Sequence, residues 1–228
     1  MLKTSKRLSE IYNILYKIYG PRNWWPADSP FEVIVGAILT QNTSWENVKK
    51  AIANLKKKSK LSPGQLYKIK ISELSSLIKS CGYHNIKAKR LKSFIDYLFK
   101  NYKGSLSNFF SNSTANIRKQ LLAINGIGPE TADSILLYAA GKAVFVVDAY
   151  TKRILERQGL IEPNASYEQI QQLFENNLPK SSKLFNEYHA LIVEHAKWVC
   201  KKKPICSECA LRKRCAFERS QGEGVKSE

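Results

Sequence analysis

LLAINGIGPETADSILLYAAGKAVFVVDAY, residues 121–150, contains two helical patterns joined by a glycine-rich turn. The first apolar run ends in Asn125-Gly126-Ile127-Gly128, and a second amphipathic run begins at Pro129. Two glycines this close between helical patterns mark a tight hairpin, because glycine enters left-handed backbone without a Cβ clash. Pro129 suits the first position of a helix, where its missing N–H costs nothing. Ile135, Leu136, Ala139 and Ala140 recur at helical spacing and give this helix a buried face. N–H groups at such a helix start accept an anion, and the anion expected here is a DNA phosphate. The alternative is a plain turn between two core helices. Asp148 follows the second run and is placed to cap the next helix.

Length and charge set the frame around this segment. A chain of 228 residues is enough for one large domain or two small ones. Lysine and arginine number 37 against 19 acidic residues, a net charge of +18. That excess favours a polyanion, since each neutralised phosphate releases counterions. A solvated basic surface is the alternative. No run of uncharged apolar residues is long enough to span a membrane. The first twenty residues interleave charge with apolar side chains, so they read as an amphipathic helix and not a signal peptide. A cytoplasmic, nucleoid-associated monomer is expected.

The rest of the chain reads as all-α with short loops. A helix over 4–19 turns Leu8, Ile11, Leu15 and Ile18 inward. The Trp24-Trp25-Pro26 loop is either a core plug or a stacking surface. Phe31 to Leu39 is almost wholly apolar and reads as a buried helix, ended by the polar break Thr40-Gln41-Asn42-Thr43. Gln41 and Asn42 either cap or project into a groove. Thr43 or Ser44 caps a helix over 44–57 that carries Trp45. Short helices follow over 63–68 and 72–80, with Cys81 a buried thiol. A long helix runs from Asn85 to Tyr102, with Ile86, Leu91, Ile95, Leu98 and Phe99 inward. Its outer face would carry Lys87, Lys89, Arg90 and Lys92 as a phosphate-facing stripe. Ser113 caps the helix entering the hairpin. Beyond Asp148, helices run to Arg157, from the Ser166–Gln169 capping box to Asn177, and over 182–199. Ala143–Val147 is the one short candidate strand, and the tail from Ser220 is of low complexity.

Cys200, Cys206, Cys209 and Cys215 form C-x5-C-x2-C-x5-C. Four thiols packed into so short a loop point to a metal site more than to disulfides. An all-thiolate set holds a [4Fe–4S] cluster or structural zinc. Zinc sites usually pair two C-x2-C hooks and this loop has one, which favours iron–sulfur. Lys201, Lys202 and Lys203, with Arg212, Lys213 and Arg214, would clamp phosphate or offset the charge of the cluster.

The GIGPETA hairpin, VVDAY about twenty residues later and the four-cysteine loop occur in that order. Together they resemble the helix–hairpin–helix DNA glycosylases of the endonuclease III superfamily, over nearly the whole chain. The first cysteine gap is one residue shorter than the commoner family pattern. Trp24-Trp25-Pro26, Trp45 and Glu130 resemble the iron–sulfur 3-methyladenine glycosylase branch.

The resemblance implies a two-lobed all-α fold, with a six-helix bundle over 29–142 and a second lobe of 1–28 and 143–228. The cluster loop would be 200–215 in that second lobe. It implies double-stranded DNA with a damaged base as partner and Asp148 as the catalytic carboxylate. Gly126, Ile127 and Gly128 would hold a phosphate, Gln41 would fill the gap left by the flipped nucleotide, and Asn42 would lie nearby. Trp24, Trp25, Pro26, Trp45, Glu130 and Tyr150 would enclose the base. Bifunctional members carry a lysine at the position of Glu130, and a carboxylate cannot form their Schiff base. The expectation is a monofunctional glycosylase for an alkylated purine such as 3-methyladenine, held by cation–π contact. The alternatives are a uracil or thymine mismatch glycosylase, a bifunctional glycosylase/lyase, and a non-catalytic DNA-binding protein.

Overall fold

The computed structural model describes residues 2–22 and 24–223. The described residues form helices and loops, with no strand among them. No helix among them is long and apolar enough to cross a membrane. The chain divides into two compact units, one of residues 25–142 and one of residues up to 24 joined to those from 143 onward. The boundary therefore separates Trp24 from Trp25.

The 25–142 unit is built on α2 (Pro30–Leu39), in which every residue from Phe31 to Leu39 is buried. Ser29 caps it, accepting the Glu32 N–H at 3.2 Å. Packed around it in chain order come α3 (Trp45–Lys57), α4 (Pro63–Lys68), α5 (Ile71–Leu77), α6 (His84–Tyr102), α7 (Leu106–Phe110), α8 (Thr114–Leu122) and α9 (Pro129–Ser134). Ser44, Ser62, Ser105 and Ser113 accept from the first turns of α3, α4, α7 and α8. The sequence reading found each of these starts except that of α7, which is too short to show a period. α9 continues into a π-helical turn, Ile135–Ala139, which lies against α2.

Two expected faces differ from those observed. In α6, Lys87 is only 1% exposed and Ile86 is 50% exposed. Lys87 turns inward because its ammonium donates to the Cys81 carbonyl at 2.7 Å, closing the 3₁₀ turn before the helix. Lys92 is also occupied, donating to the Leu66 and Tyr67 carbonyls. The expected four-residue cationic stripe is thus broken.

In the other unit, α1 (Leu2–Tyr19) lies along α12 (Ser182–Trp198), and the Tyr188 hydroxyl donates to the Leu8 carbonyl at 2.8 Å. Leu8, Ile11 and Leu15 are fully buried, but Ile18 is 52% exposed because the helix ends one residue later. Residues 144–147 are buried, but they form no ladder. Side chains of α11 (Tyr167–Glu175) serve this backbone instead: Glu175 accepts from the Phe145 N–H and Gln171 donates to its carbonyl. The candidate strand is therefore a buried strap held by side chains of a helix. It delivers Asp148 to the start of α10 (Ala149–Arg157). The tail begins as helix, α13 (Ala216–Glu223), and residues 224–228 lie outside the described residues.

Candidate active site

The hairpin is set by two different glycine roles. Gly126 has φ +88, a left-handed backbone that only glycine enters without strain. Gly128 is extended (φ −91, ψ 179) and N-caps α9, with Pro129 in its first turn. Ile127 is buried and anchors the loop between them. A bidentate ion pair, Arg118 to Asp133 at 2.7 and 3.0 Å, joins α8 to α9 behind the turn. Gln41 reaches the hairpin from the turn after α2. Its amide nitrogen donates to the Gly126 carbonyl at 3.0 Å and to the Thr131 hydroxyl oxygen at 2.9 Å. Asn42 beside it is exposed, with φ +53. Glu130 occupies the exposed first turn of α9.

In the other unit, Asp148 N-caps α10. Its Oδ1 accepts the Thr151 N–H at 2.7 Å and the Thr151 hydroxyl at 2.9 Å. Its Oδ2 lies 3.5 Å from His189 Nε2 on α12, and the carboxylate is 14% exposed. Burial alone would raise its pKa. The His189 ring and the two Thr151 donors outweigh that and hold the carboxyl below its ordinary value. The result is an ionised carboxylate of fixed orientation, able to stabilise a developing cation or orient water.

The aromatic residues divide between the units. Trp25 and Trp45 meet edge-to-face at 4.9 Å, and Trp25 lies 5.2 Å from Tyr138 on the π turn. Both indoles close over Gly36, where a Cβ would stand 3.3 Å from the Trp25 ring. Beside Trp45 and Pro26 opens a cavity of about 420 Å³ whose polar wall includes Asp28, Glu32, Lys49 and Lys56. Lys56 pairs with Asp28 at 2.7 Å and Glu32 at 2.8 Å. In the other unit, Trp24 lies under Lys197, whose Nζ is 5.7 Å from the ring centroid, and Tyr150 lies under Arg153.

Cys200, Cys206, Cys209 and Cys215 line one cavity, walled by apolar side chains that include Ile154 and Leu211. No three metal-ligating side chains converge on a single point among the described residues. Arg157 Nη1 donates to Cys200 Sγ at 3.3 Å, and its guanidinium also binds the Lys201 and Lys202 carbonyls. Arg153 binds the Cys200 carbonyl at 2.9 Å. His195 bridges the Tyr19 hydroxyl and Cys209 Sγ, at 3.0 and 3.4 Å. Burial lowers the pKa of His195 to about 4, so its ring is neutral. Burial also raises the pKa of Cys206, and raises that of Cys209 to about 11. Lys201, Lys202 and Lys203 are exposed on this loop.

Sequence reasoning missed His189, Arg157 and Tyr83, and it placed Arg90 on a phosphate-facing stripe without its contact to Gln41. Tyr83 is 70% exposed with φ +45 at the start of α6. The Gly82-Tyr83 turn was its only local signal. The other three act across 40 or more residues of chain, beyond any motif.

Residues 35–180 match the model of the HhH-GPD superfamily base excision DNA repair proteins. A protein of Methanocaldococcus jannaschii named as a DNA repair glycosylase is 48% identical over 90% of this chain and 94% of its own. Endonuclease III of Thermotoga maritima is 30% identical over 90% of each chain. The crystal structure of H. pylori 3-methyladenine DNA glycosylase bound to 1,N6-ethenoadenine superposes with a TM-score of 0.73 at 31% identity. That match covers 85% of this chain and 97% of the other. This chain belongs to the HhH-GPD superfamily and is a base excision DNA repair glycosylase.

Proposed function

We propose that this glycosylase is monofunctional: it releases a base by hydrolysis, through Asp148, and leaves the abasic strand intact. The observation that carries this reading is Glu130 in the first turn of α9, where a lyase of the endonuclease III type needs an amine. A flipped nucleotide develops positive charge on its sugar as the N-glycosidic bond breaks. Asp148, ionised and held by Thr151, would stabilise that charge and orient water. Gly126, Ile127 and Gly128 would hold a phosphate of the damaged strand, and Gln41 would fill the vacated stack beside Asn42.

The base proposed is an alkylated purine such as 3-methyladenine. Trp25 and Trp45 support this, since electron-rich rings attract a cationic base by about 0.5–2 kcal/mol. Trp24, Pro26 and Tyr150 would complete the enclosure. The polar wall of the cavity beside Trp45 favours a second reading. Its lysines are ion-paired, Lys49 with Glu46 and Lys56 with Asp28 and Glu32, and such a fixed set of donors and acceptors would suit the polar edge of uracil or thymine, since polar readout discriminates strongly.

Cys200, Cys206, Cys209 and Cys215 would hold a [4Fe–4S] cluster. The loop has a single C-x2-C hook where zinc sites usually pair two, which supports a cluster over one zinc ion. Bound there, such a cluster staples the loop. Lys201, Lys202 and Lys203 would then face DNA as a rigid basic edge. The partner is duplex DNA, and the working form proposed is a monomer.

Methylated DNA and uracil-containing duplexes test the reading, with the released base identified by mass. Release of 3-methyladenine with intact strands is expected, and Asp148→Asn should lower it by at least 100-fold, about 2.7 kcal/mol of transition-state stabilisation. Release of uracil alone would move the assignment to the second reading. Covalent trapping of the protein on DNA by borohydride would refute monofunctional chemistry.

A further inference from the structure

We propose that Arg90 is a positioning residue for base extrusion: it holds the Gln41 amide against the hairpin, in the place from which that amide enters the duplex. The inference rests on the proposed reading of Gln41 as the gap-filling side chain.

Gln41 is held at both ends. Its nitrogen donates to the Gly126 carbonyl and the Thr131 hydroxyl oxygen, at 3.0 and 2.9 Å. Its oxygen accepts from Arg90 Nη1. An amide with both donor and acceptor occupied has one orientation and little rotamer freedom left. Arg90 is fixed in turn. Its stem crosses Gly126 so closely that a Cβ there would overlap it. Four separate parts of one unit, the turn after α2, α6, the hairpin and α9, thus meet on a single side-chain amide. Filling a vacated stack immobilises a flexible side chain, and that cost is smaller when the side chain is ordered before DNA arrives. An arginine on this surface could instead serve DNA directly, as a phosphate contact. The geometry favours the indirect role, because one guanidinium nitrogen, Nη1, is engaged by Gln41 and the stem lies against the hairpin.

The test uses the full chain and a duplex with 2-aminopurine at the target position, whose fluorescence rises on unstacking. This readout does not depend on which lesion the enzyme removes. Gln41→Ala should lower the rise several-fold. Arg90→Met, which keeps the stem over Gly126, should lower it to a similar extent in the wild-type background and not further in Q41A. Thr131→Val removes another partner of Gln41 and should show the same dependence on background. It serves as the test if R90M does not fold. The salt dependence of R90M binding should keep the wild-type slope. An equal loss in both backgrounds, no loss in either, or a slope smaller by about one would overturn the proposal, the last by making Arg90 a phosphate contact. If Q41A itself extrudes normally, the gap-filling reading fails and takes this inference with it, an outcome distinct from failure of R90M alone.

Discussion

The Asp148 carboxylate sits between influences of opposite sign. Burial favours its protonated form, while His189 at 3.5 Å and the Thr151 donors favour the charged one, and the second group prevails. A carboxyl with a folded-state pKa below the unfolded value stabilises the protein above the unfolded value. That contribution is lost as pH falls through the folded one. The same ionisation should set the acid limb of kcat/KM. His189→Gln removes the main charge partner, so the limb should move to higher pH while the protein remains folded. An unmoved limb in H189Q would show that Thr151 alone keeps Asp148 ionised. At this scale the sequence was mostly readable where the partner lies within one turn, although the Ser105 and Ser181 caps were not read. Ser29, Ser44, Ser62, Ser113, Ser166 and Asp148 all cap as their spacing implies. His189 was not readable, because nothing local ties a histidine on α12 to a residue 41 positions earlier.

Among the elements, the hairpin separates two glycines that look equivalent in sequence. Gly126 is left-handed and roofed by Arg90, while Gly128 is extended with open space where a Cβ would go. Gly126→Ala should therefore cost about 1–3 kcal/mol, from the strained backbone and the displaced arginine. Gly128→Ala should change stability by less than about 0.5 kcal/mol. Thermal unfolding of both variants checks this, and equal losses would mean that the turn can repack. If Gly128 lies against a phosphate as proposed, G128A should still bind DNA more weakly. Elements were also where periodicity misled. Ile18 and Ile86 fall on apolar stripes yet are exposed, and Lys87 falls on a polar stripe yet is buried. Helical spacing says which residues share a face. It does not say where a helix end leaves its neighbour or which carbonyl a lysine will satisfy.

On the scale of the whole molecule, the cysteine loop ties together distant parts of one unit. Arg153 and Arg157 hold it from α10, the helix that Asp148 caps. His195 contacts it from α12, and Arg214 pairs with Glu10 of α1 at 2.6 Å. With the proposed cluster as staple, oxidative removal of iron should abolish visible absorption and lower the melting temperature. Base release should fall as well, since α10 carries Asp148. Metal analysis and thermal melts before and after removal check this, and a colourless protein holding one zinc would refute the cluster. The sequence by itself determined the helical class, the hairpin, the helix caps, the thiol set and the excess of positive charge. Each of these is written in residue type and short spacing, so a few neighbouring residues settle it. The tertiary structure decided which side chains meet: Gln41 with the hairpin, Asp148 with His189, and Trp25 with Trp45 over Gly36. Those meetings depend on how the helices pack and where they end, because side chains from different elements become neighbours only once the chain has closed around its core.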